Sequence, residues 1–275
     1  MLFENMKTAI EDFFYKKVIR NILMLSNFGR RSVLGEAASG YNFDYMYENK
    51  PHGFLGIGYL IDKMLLNLPA VQATRLRRVN IVKIVSNEIE NHRLQGKTTK
   101  ILDLACGAGR YLSDIVKIFS KNKIEIVGID YDNKSLKLAK NLSEKEGISK
   151  EQIRFVKGNV FRLSILKKLG KRVDWRPNIV IASGLTVYID DDEVINMLKQ
   201  IYEGLAHDGC ILIDSQESNP SRKLMEKVLK TKQGAWILYY RSPAQWRHWL
   251  HKCGFRDIVI SCDQWKMYNL CSARK

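Results

Sequence analysis

The sequence has few of the features that mark secreted, metal-binding or membrane-spanning proteins. Its five cysteines are an odd number and none forms a C-x-x-C pair, so we expect reduced thiols and no zinc site. No apolar run approaches the ~18 residues of a spanning helix. Acidic residues interrupt the apolar N-terminus, which is wrong for a signal peptide. These absences predict a soluble, cytoplasmic protein without a membrane partner.

Like charges are not clustered, although the net charge is +16. The chain has no arginine-rich tail and no run of five like charges. Charges scattered over solvated faces are therefore favoured, and RNA binding stays open as an alternative. At 275 residues and 45% apolar content, the chain can bury one large α/β core and an appendage. We predict an N-terminal helical extension over residues 1–97 and a main domain over residues 98–275.

A strand, a glycine turn and a helix follow one another from Ile101 to about Phe119. Glycine has no side chain and tolerates positive φ, so Gly107 and Gly109 let the backbone press against a ligand. The helix that follows directs its free N–H groups at the same place. A second β-rich run ends at Asp130, 21 residues after Gly109, the spacing at which a carboxylate accepts from ribose hydroxyls. The pattern predicts a nucleoside site.

Asp103 indicates which nucleoside cofactor this site would bind. A dinucleotide loop would have a third glycine near Leu112 and no acid at the position of Asp103, because pyrophosphate is negatively charged. A carboxylate suits an ammonium or sulfonium instead. The runs D-L-A-C-G-A-G and G-I-D-Y-D resemble motifs I and II of the class I S-adenosylmethionine (SAM) dependent methyltransferases. The resemblance covers about residues 98–275 and implies a Rossmann-like, seven-stranded methyltransferase sheet with SAM as cofactor.

The resemblance also implies a set of cofactor-binding residues. At Asn159, where the family usually has an acid, the side-chain carbonyl can still accept from the adenine amino group. An arginine ahead of motif I often holds the SAM carboxylate, which implies one of Arg75, Arg77 and Arg78. The implied set is Asp103, Gly107, Gly109, Asp130, Tyr131, Asn159, Val160, Ser183 and Arg75.

The loop after the fourth predicted strand lies where the family places the reacting methyl group. It runs from Ser183 to Tyr188 and lacks the N-P-P-Y or D-P-P-F tetrapeptide that marks methylation of exocyclic amino groups. This absence disfavours methylation of nucleic-acid bases. The acids at 190–192 invite a metal, but they begin a predicted helix, where capping and the helix dipole explain them. We therefore predict no metal site.

Further runs extend the resemblance to nearly the whole chain. They are similar to a bacterial family of predicted methyltransferases whose substrate is not settled, and Tyr188 with Ser215 is also similar to azetidine-2-carboxylate synthases, which share the fold. The runs that carry the first likeness are 47–53, Arg75 with Arg77, 109–111, 183–185, 234–236 and 263–265.

Three reactions fit these features. In the first, the protein aligns a small-molecule acceptor with the S–CH₃ bond of SAM, with Tyr188, His52 or Glu217 as candidate base. In the second, SAM cyclises to azetidine-2-carboxylate and methylthioadenosine, with a cation–π contact from Tyr188. In the third, an RNA methyltransferase uses the basic surface. The first is favoured, and the predicted catalytic residues are Tyr188, Ser215 and Ser183. The oligomeric state stays open.

The N-terminal extension is predicted to be helical and partly a cover. Residues 1–27 place apolar side chains at three- and four-residue steps, which predicts an amphipathic helix. A lid or dimer helix is favoured over a membrane helix, because acids share its polar face with lysines. The tyrosine-rich residues 41–53 predict a loop over a pocket, with core filling as the alternative. Helices are expected over 55–67, 71–91 and 220–231.

Overall fold

A seven-stranded sheet forms the centre of the fold in the computed structural model, which describes residues 2–53, 56–120, 123–160 and 175–275. The strand order is β3-β2-β1-β4-β5-β9-β8, with the first five strands parallel and the β8–β9 hairpin antiparallel at one edge. This confirms the predicted methyltransferase sheet. Its strands are β1 Thr99–Leu104, β2 Ile124–Asp130, β3 Ile153–Lys157, β4 Ile179–Ala182, β5 Cys210–Gln216, β8 Arg256–Cys262 and β9 Tyr268–Arg274.

Helices surround this sheet and form most of the N-terminal part. A two-stranded ribbon, β6 Lys230–Thr231 and β7 Gly234–Ala235, lies apart from the main sheet. The helices are α1 Leu2–Phe13, α2 Arg20–Met24, α3 Asn27–Arg31, α4 Gly40–Glu48, α5 Ile57–Leu66, α6 Pro69–Leu94, α7 Arg110–Ile118, α8 Asn133–Lys145, α9 Asp191–Gly204, α10 Arg222–Lys227 and α11 Pro243–Lys252.

The central strands β1, β4 and β5 are buried on both faces, as expected for strands of a parallel sheet that is covered on both sides. Alternate residues therefore point into two different core layers. Leu102 and Leu104 of β1 pack in one layer with Trp246 of α11. Ile101 points the other way and packs with Ile81 of α6. This alternation decides which strand-end side chains can meet.

Contacts divide the chain into two compact units. The N-terminal unit is Met1–Arg75 with Asn219–Leu238, and the sheet unit is Leu76–Ser218 with Tyr239–Lys275. The division falls inside α6 and places α10 and the β6–β7 ribbon with the N-terminal helices. It therefore differs from the predicted boundary after residue 97 in both position and continuity, because a segment remote in sequence packs with the first helices.

A buried carboxylate organises the N-terminal unit. Asp62 is fully buried on α5 and accepts hydrogen bonds from the backbone N–H groups of Phe28 (3.0 Å) and His52 (3.1 Å). The hydroxyl of Tyr45 donates to the same carboxylate, and its ring stacks on Phe28 with 5.8 Å between ring centroids. Asp62 thus joins α3, α4, α5 and the segment around His52.

The structure corrects the prediction of a loop at residues 41–53. Most of this stretch is helix α4, which Ser39 caps by accepting from the N–H of Asn42 and which ends at Asn49 in the left-handed conformation. Tyr45 and Met46 are buried in the core of the N-terminal unit. Tyr45 therefore fills a core with Phe43 packed against it, which was the alternative interpretation.

Two helix boundaries also differ from prediction. Pro69 begins α6 instead of separating two helices, because the first turn of a helix does not need the N–H that proline lacks. The helix expected over 220–231 is limited to α10, and the β6–β7 ribbon follows it. The interpretation of Asp190 as a cap is confirmed, since its side chain accepts from the N–H of Glu193.

A strained residue follows β1. Ala105 has φ of 68°, a conformation that costs a residue with a Cβ ~1 kcal/mol or more. Glycine adopts it without that cost, so we expect Ala105→Gly to raise the free energy of unfolding by up to about 1 kcal/mol. The control is Ala244→Gly, the same change at an exposed position of α11, which should lower that free energy by about 0.5–1 kcal/mol. Urea denaturation measures both, and equal losses would contradict the strain.

Candidate functional site

The glycine turn joins β1 to α7 and is held against the end of β2. Gly107 and Gly109 have φ of 56° and 65°. A Cβ on Gly109 would lie 2.8 Å from a ring carbon of Phe155, so packing also requires glycine there. The N–H of Cys106 donates to the carbonyl of Ile129 at 2.9 Å. The turn is therefore a rigid cradle at the carboxyl edge of the sheet, where ligands of such sheets bind.

Asp130 fastens this turn to β2. Its carboxylate accepts from the N–H of Gly107 and from the N–H of Asp132, each at 2.8 Å. Burial raises the pKa of Asp130, and these two N–H groups oppose the rise. Each carboxylate oxygen can accept more than one hydrogen bond, so capacity remains for ribose hydroxyls. Asp130 thus combines a structural role with the predicted binding role.

Asp103 lies beside the turn with half of its carboxylate unsatisfied. Its side chain is fully buried, Tyr111 donates to Oδ2 at 2.6 Å, and Oδ1 has no hydrogen-bond partner. Burial raises the pKa of Asp103 to about 8, with the charges of Asp130 and Asp214 adding to the rise and Tyr111 opposing it. A buried oxygen without a donor is costly, and a cationic ligand would satisfy it. The residues present therefore fit the sulfonium and ammonium groups of SAM.

A buried ion pair fixes the loop after β4. Asp214 Oδ2 accepts from Arg77 Nη1 at 2.8 Å and from the hydroxyl of Ser183 at 2.9 Å, and Oδ1 accepts from the N–H of Gly184 at 2.6 Å. Arg77 is 5% exposed and Asp214 1% exposed. The guanidinium also lies 4.6 Å from the ring centroid of Tyr268. Four elements, α6, the β4 loop, β5 and β9, therefore meet at this one pair.

Each of the three candidate arginines contacts a different group. Arg77 pairs with Asp214, and Arg78 binds Asp114 through two hydrogen bonds of 2.7 and 2.8 Å. Arg75 belongs to the N-terminal unit and donates to the backbone carbonyl of Leu66 at 2.8 Å. The assignment of Arg75 to the SAM carboxylate stays a prediction.

Strand alternation separates the two predicted catalytic serines. Ser183 faces the layer of Asp103 and Asp214, as its bond to Asp214 shows. Ser215 follows Asp214 directly and therefore points to the opposite face, toward the layer of Ile213. It is buried opposite Asn269 of β9, and its hydroxyl and both polar atoms of the Asn269 amide have no hydrogen-bond partner. The structure brings Ser183, but not Ser215, to the glycine turn's face.

The other predicted site residues occupy varied positions. Val160 is buried, Asn159 is half-buried, and Tyr131 is 73% exposed just after β2. Tyr188 is half-buried and ends a short 3₁₀ helix, Thr186–Tyr188. Of the other candidate bases, His52 lies in the N-terminal unit with an exposed side chain, and Glu217 is exposed after β5.

Sequence reasoning did not identify the role of Asp214. The sequence places Asp214 at the end of an apolar strand and makes Arg77 one of three candidates for the SAM carboxylate. The available signal was an acid inside a strand buried on both faces, because such an acid needs a buried donor. Which donor meets it could not be predicted, since Arg77 lies 137 residues away in sequence.

The raised pKa of Asp103 predicts a pH-dependent stability. In the unfolded chain an aspartate ionises near pH 4, whereas folded Asp103 keeps its proton up to about pH 8. The unfolded state binds fewer protons within that window, so ionisation of this group lowers the free energy of unfolding as pH rises. Asp103→Asn removes this effect, and its stability relative to wild type should increase from pH 5 to pH 8.

Thermal unfolding across that range measures the difference. Glu144→Gln, an acid-to-amide change at an exposed position of α8, serves as control and should run parallel to wild type. A difference between Asp103→Asn and wild type that does not vary with pH would contradict the assignment.

The buried ion pair predicts a large loss when one partner is removed. Asp214→Asn leaves Arg77 buried without a counter-charge and should cost about 3–5 kcal/mol of unfolding free energy, measured by urea denaturation. Removing both charges with Arg77→Met and Asp214→Asn should recover part of this loss. Glu90→Gln, which breaks the exposed pair with Arg93 on the same helix, should change stability little. Equal effects of Asp214→Asn and Glu90→Gln would contradict the central role of the buried pair.

Comparison with known proteins gives the family. A family described as "Putative methyltransferase" matches residues 2–275. The uncharacterized protein YnbC of Escherichia coli (strain K12) is 25% identical over 241 residues, which cover 86% of this chain and 40% of that protein. The chain thus spans less than half the length of this curated relative.

Solved structures share the fold. A possible exported protein of Bordetella parapertussis superposes with a TM-score of 0.72 at 20% identity, covering 93% of this chain and 85% of that chain. Magnesium protoporphyrin IX methyltransferase of Synechocystis PCC 6803, solved with bound SAH, gives 0.59 at 12% identity and covers 89% and 99%. The family match and the shared fold agree with the predicted SAM cofactor. The chain belongs to the family described as "Putative methyltransferase".

Proposed function

We propose that this enzyme transfers the methyl group of SAM to a small-molecule acceptor in the cytoplasm. The observation that carries the proposal is the buried, unpartnered oxygen of Asp103 beside the glycine turn. This carboxyl keeps its proton up to about pH 8 in the free protein, and a cation bound beside it would favour its ionised form. Bound SAM would supply an electrophilic methyl group on a sulfonium. The five cysteines, all free thiols, support a reducing compartment.

The cofactor-binding roles in the proposal follow the sheet edge. Gly107 and Gly109 allow close backbone approach, and Asp130 accepts from the ribose hydroxyls while it holds the turn. Tyr131 follows Asp130, and Asn159 with Val160 contacts the adenine. Ser183 borders the cofactor, and Arg75 is the proposed partner of its carboxylate.

The acceptor would bind beside the loop after β4. Asp214 holds Ser183 and Gly184 in place, which gives the reacting groups a fixed border. Tyr188 ends this loop and is the proposed base or orienting group for the acceptor. The missing N-P-P-Y and D-P-P-F tetrapeptides disfavour nucleic-acid bases. One structural neighbour is named for a small-molecule acceptor, magnesium protoporphyrin IX, and this likeness of fold supports an acceptor of that size.

The cofactor site is tested by titrating SAM into the protein in a calorimeter. Asp130→Asn keeps one acceptor for the backbone and removes the charge, so SAM affinity should fall at least about tenfold, as expected for a lost charged hydrogen bond. Glu125→Gln makes the same change on the same strand, at the opposite end, and should bind SAM like wild type. Unchanged affinity in Asp130→Asn would refute the ribose assignment.

The reaction itself is tested with SAM alone. Without an acceptor, a methyltransferase leaves SAM intact, and mass spectrometry should find no products after prolonged incubation. Candidate acceptors added with methyl-labelled SAM should then yield a labelled small molecule and SAH. Release of methylthioadenosine and azetidine-2-carboxylate from SAM alone would overturn methyl transfer in favour of cyclisation.

A further inference from the structure

The first helical segment exposes a long apolar stripe. It runs through α1, a π-helical turn over Phe14–Ile19 and α2. The wider π turn shifts the helical phase by one residue, which keeps later apolar residues on the same exposed side. Exposed fractions range from 39% to 64% over a length of roughly 30 Å at ~1.5 Å per residue. The stripe is Met6, Ile10, Phe13, Phe14, Val18, Ile22 and Leu25.

The acids of this helix do not belong to the exposed stripe. Glu11 accepts from Lys223 at 2.9 Å, and Asp12 accepts from Lys227 at 2.7 Å, so both are neutralised by the α10 segment of the same unit. Tyr15 lies on this inner side too, 5.7 Å from the Lys227 ammonium. Glu4 precedes Glu11 by seven residues, two helical turns, and so lies on the same side as Glu11.

The charges left beside the stripe are positive. Lys7, Lys17 and Arg20 are exposed, and in the described part of the chain no ion pair is found for them. Lys17 follows Phe13 by four residues and Phe14 by three, which places it beside the stripe. An apolar stripe with basic residues and no free acid matches the composition of helices that lie in the plane of an anionic membrane. A chain of net charge +16 adds long-range attraction to such a surface.

We propose that this stripe, residues 6–25, docks the enzyme on an anionic lipid bilayer. The apolar side chains enter the boundary of headgroups and acyl chains, and Lys7, Lys17 and Arg20 contact lipid phosphates. The helix lies on the bilayer: among the described residues, no helix is long and apolar enough to cross one. A second copy of the chain fits this face less well, because it would bring two sets of unpaired cations together. The sequence favoured a lid or dimer helix because acids share the polar face with lysines. In the structure, Glu11 and Asp12 form ion pairs with Lys223 and Lys227.

Sedimentation with lipid vesicles tests the proposal on the full chain. Wild type should pellet with vesicles in which ~30% of the lipid is phosphatidylglycerol and the rest is phosphatidylcholine. It should stay in the supernatant with vesicles of phosphatidylcholine alone. High salt should weaken binding. Equal pelleting with both vesicle types, or none with either, would overturn the proposal.

Two pairs of matched variants locate the contact. The double variant Ile10→Ser with Val18→Ser should have a partition coefficient onto the anionic vesicles at least about tenfold lower than wild type. Its control is the double variant Ile118→Ser with Val259→Ser, which makes the same changes at exposed sites of α7 and β8 and should leave the coefficient unchanged. Lys17→Glu should lower it at least about fivefold, against Lys140→Glu on α8 as control. Equal effects within either pair would refute the assigned face.

The oligomeric state is measured on the same proteins by analytical ultracentrifugation. A monomer is expected for wild type and for Ile10→Ser with Val18→Ser. A wild-type dimer that this double variant dissociates would show that a second copy covers the stripe and would overturn the lipid proposal. Calorimetric SAM binding should be equal in all stripe variants, so failure of the lipid proposal is distinguishable from failure of the proposed function.

Discussion

The ion pair between Arg77 and Asp214 is the interaction on which the sheet unit's active edge depends. Two charges taken out of water are costly, and their attraction offsets that cost only when the remaining donors and acceptors are satisfied. Asp214 meets this condition because its carboxylate accepts three hydrogen bonds, from the guanidinium of Arg77, the hydroxyl of Ser183 and the backbone N–H of Gly184. Its backbone carbonyl also accepts from the hydroxyl of Thr186 at 2.8 Å. One carboxylate thereby determines where the β4 loop lies.

More carboxyl groups lie at this edge than stability favours. Asp103, Asp130 and Asp214 lie near the carboxyl ends of three parallel strands, and their charges raise the pKa of Asp103 further after burial has raised it. Arg77 compensates one of the three. This crowding costs stability: Asp103 keeps its proton up to about pH 8 in the free protein, and a cationic ligand would favour its ionised form. Strain at Ala105 adds to this cost, in agreement with the general tendency of functional sites to hold unfavourable conformations.

The exposed stripe of the first helix presents a different physical problem. Apolar side chains with 39–64% exposure lose contact with water only if something covers them. The inner side of the same helix is held by ion pairs to α10, so the helix is anchored before any partner arrives. A helix that is held on one side and apolar on the other can bind a surface without refolding. Binding would then require little ordering of the chain.

Local pattern was sufficient for the sheet and for the cofactor class. The glycine turn, the acid before it and Asp130 at its spacing predicted a SAM site, because strand ends and tight turns leave direct traces in adjacent residues. The capping role of Asp190 followed for the same reason. The tyrosine-rich stretch 41–53 was predicted as a loop, because composition alone did not reveal that Asp62 would hold α4 in a core.

The sequence by itself determined the strands of the main sheet and predicted the ligand class, since both depend on residues close together in the chain. Only the tertiary structure decided that Arg77 meets Asp214, that α10 packs with the first helices, and that Ser183 and Ser215 face opposite layers. These facts depend on contacts between residues far apart in sequence and on strand parity. Side chains alternate between the two faces of a sheet from one residue to the next. A strand whose position is uncertain by one residue therefore leaves undecided which face each of its side chains points to.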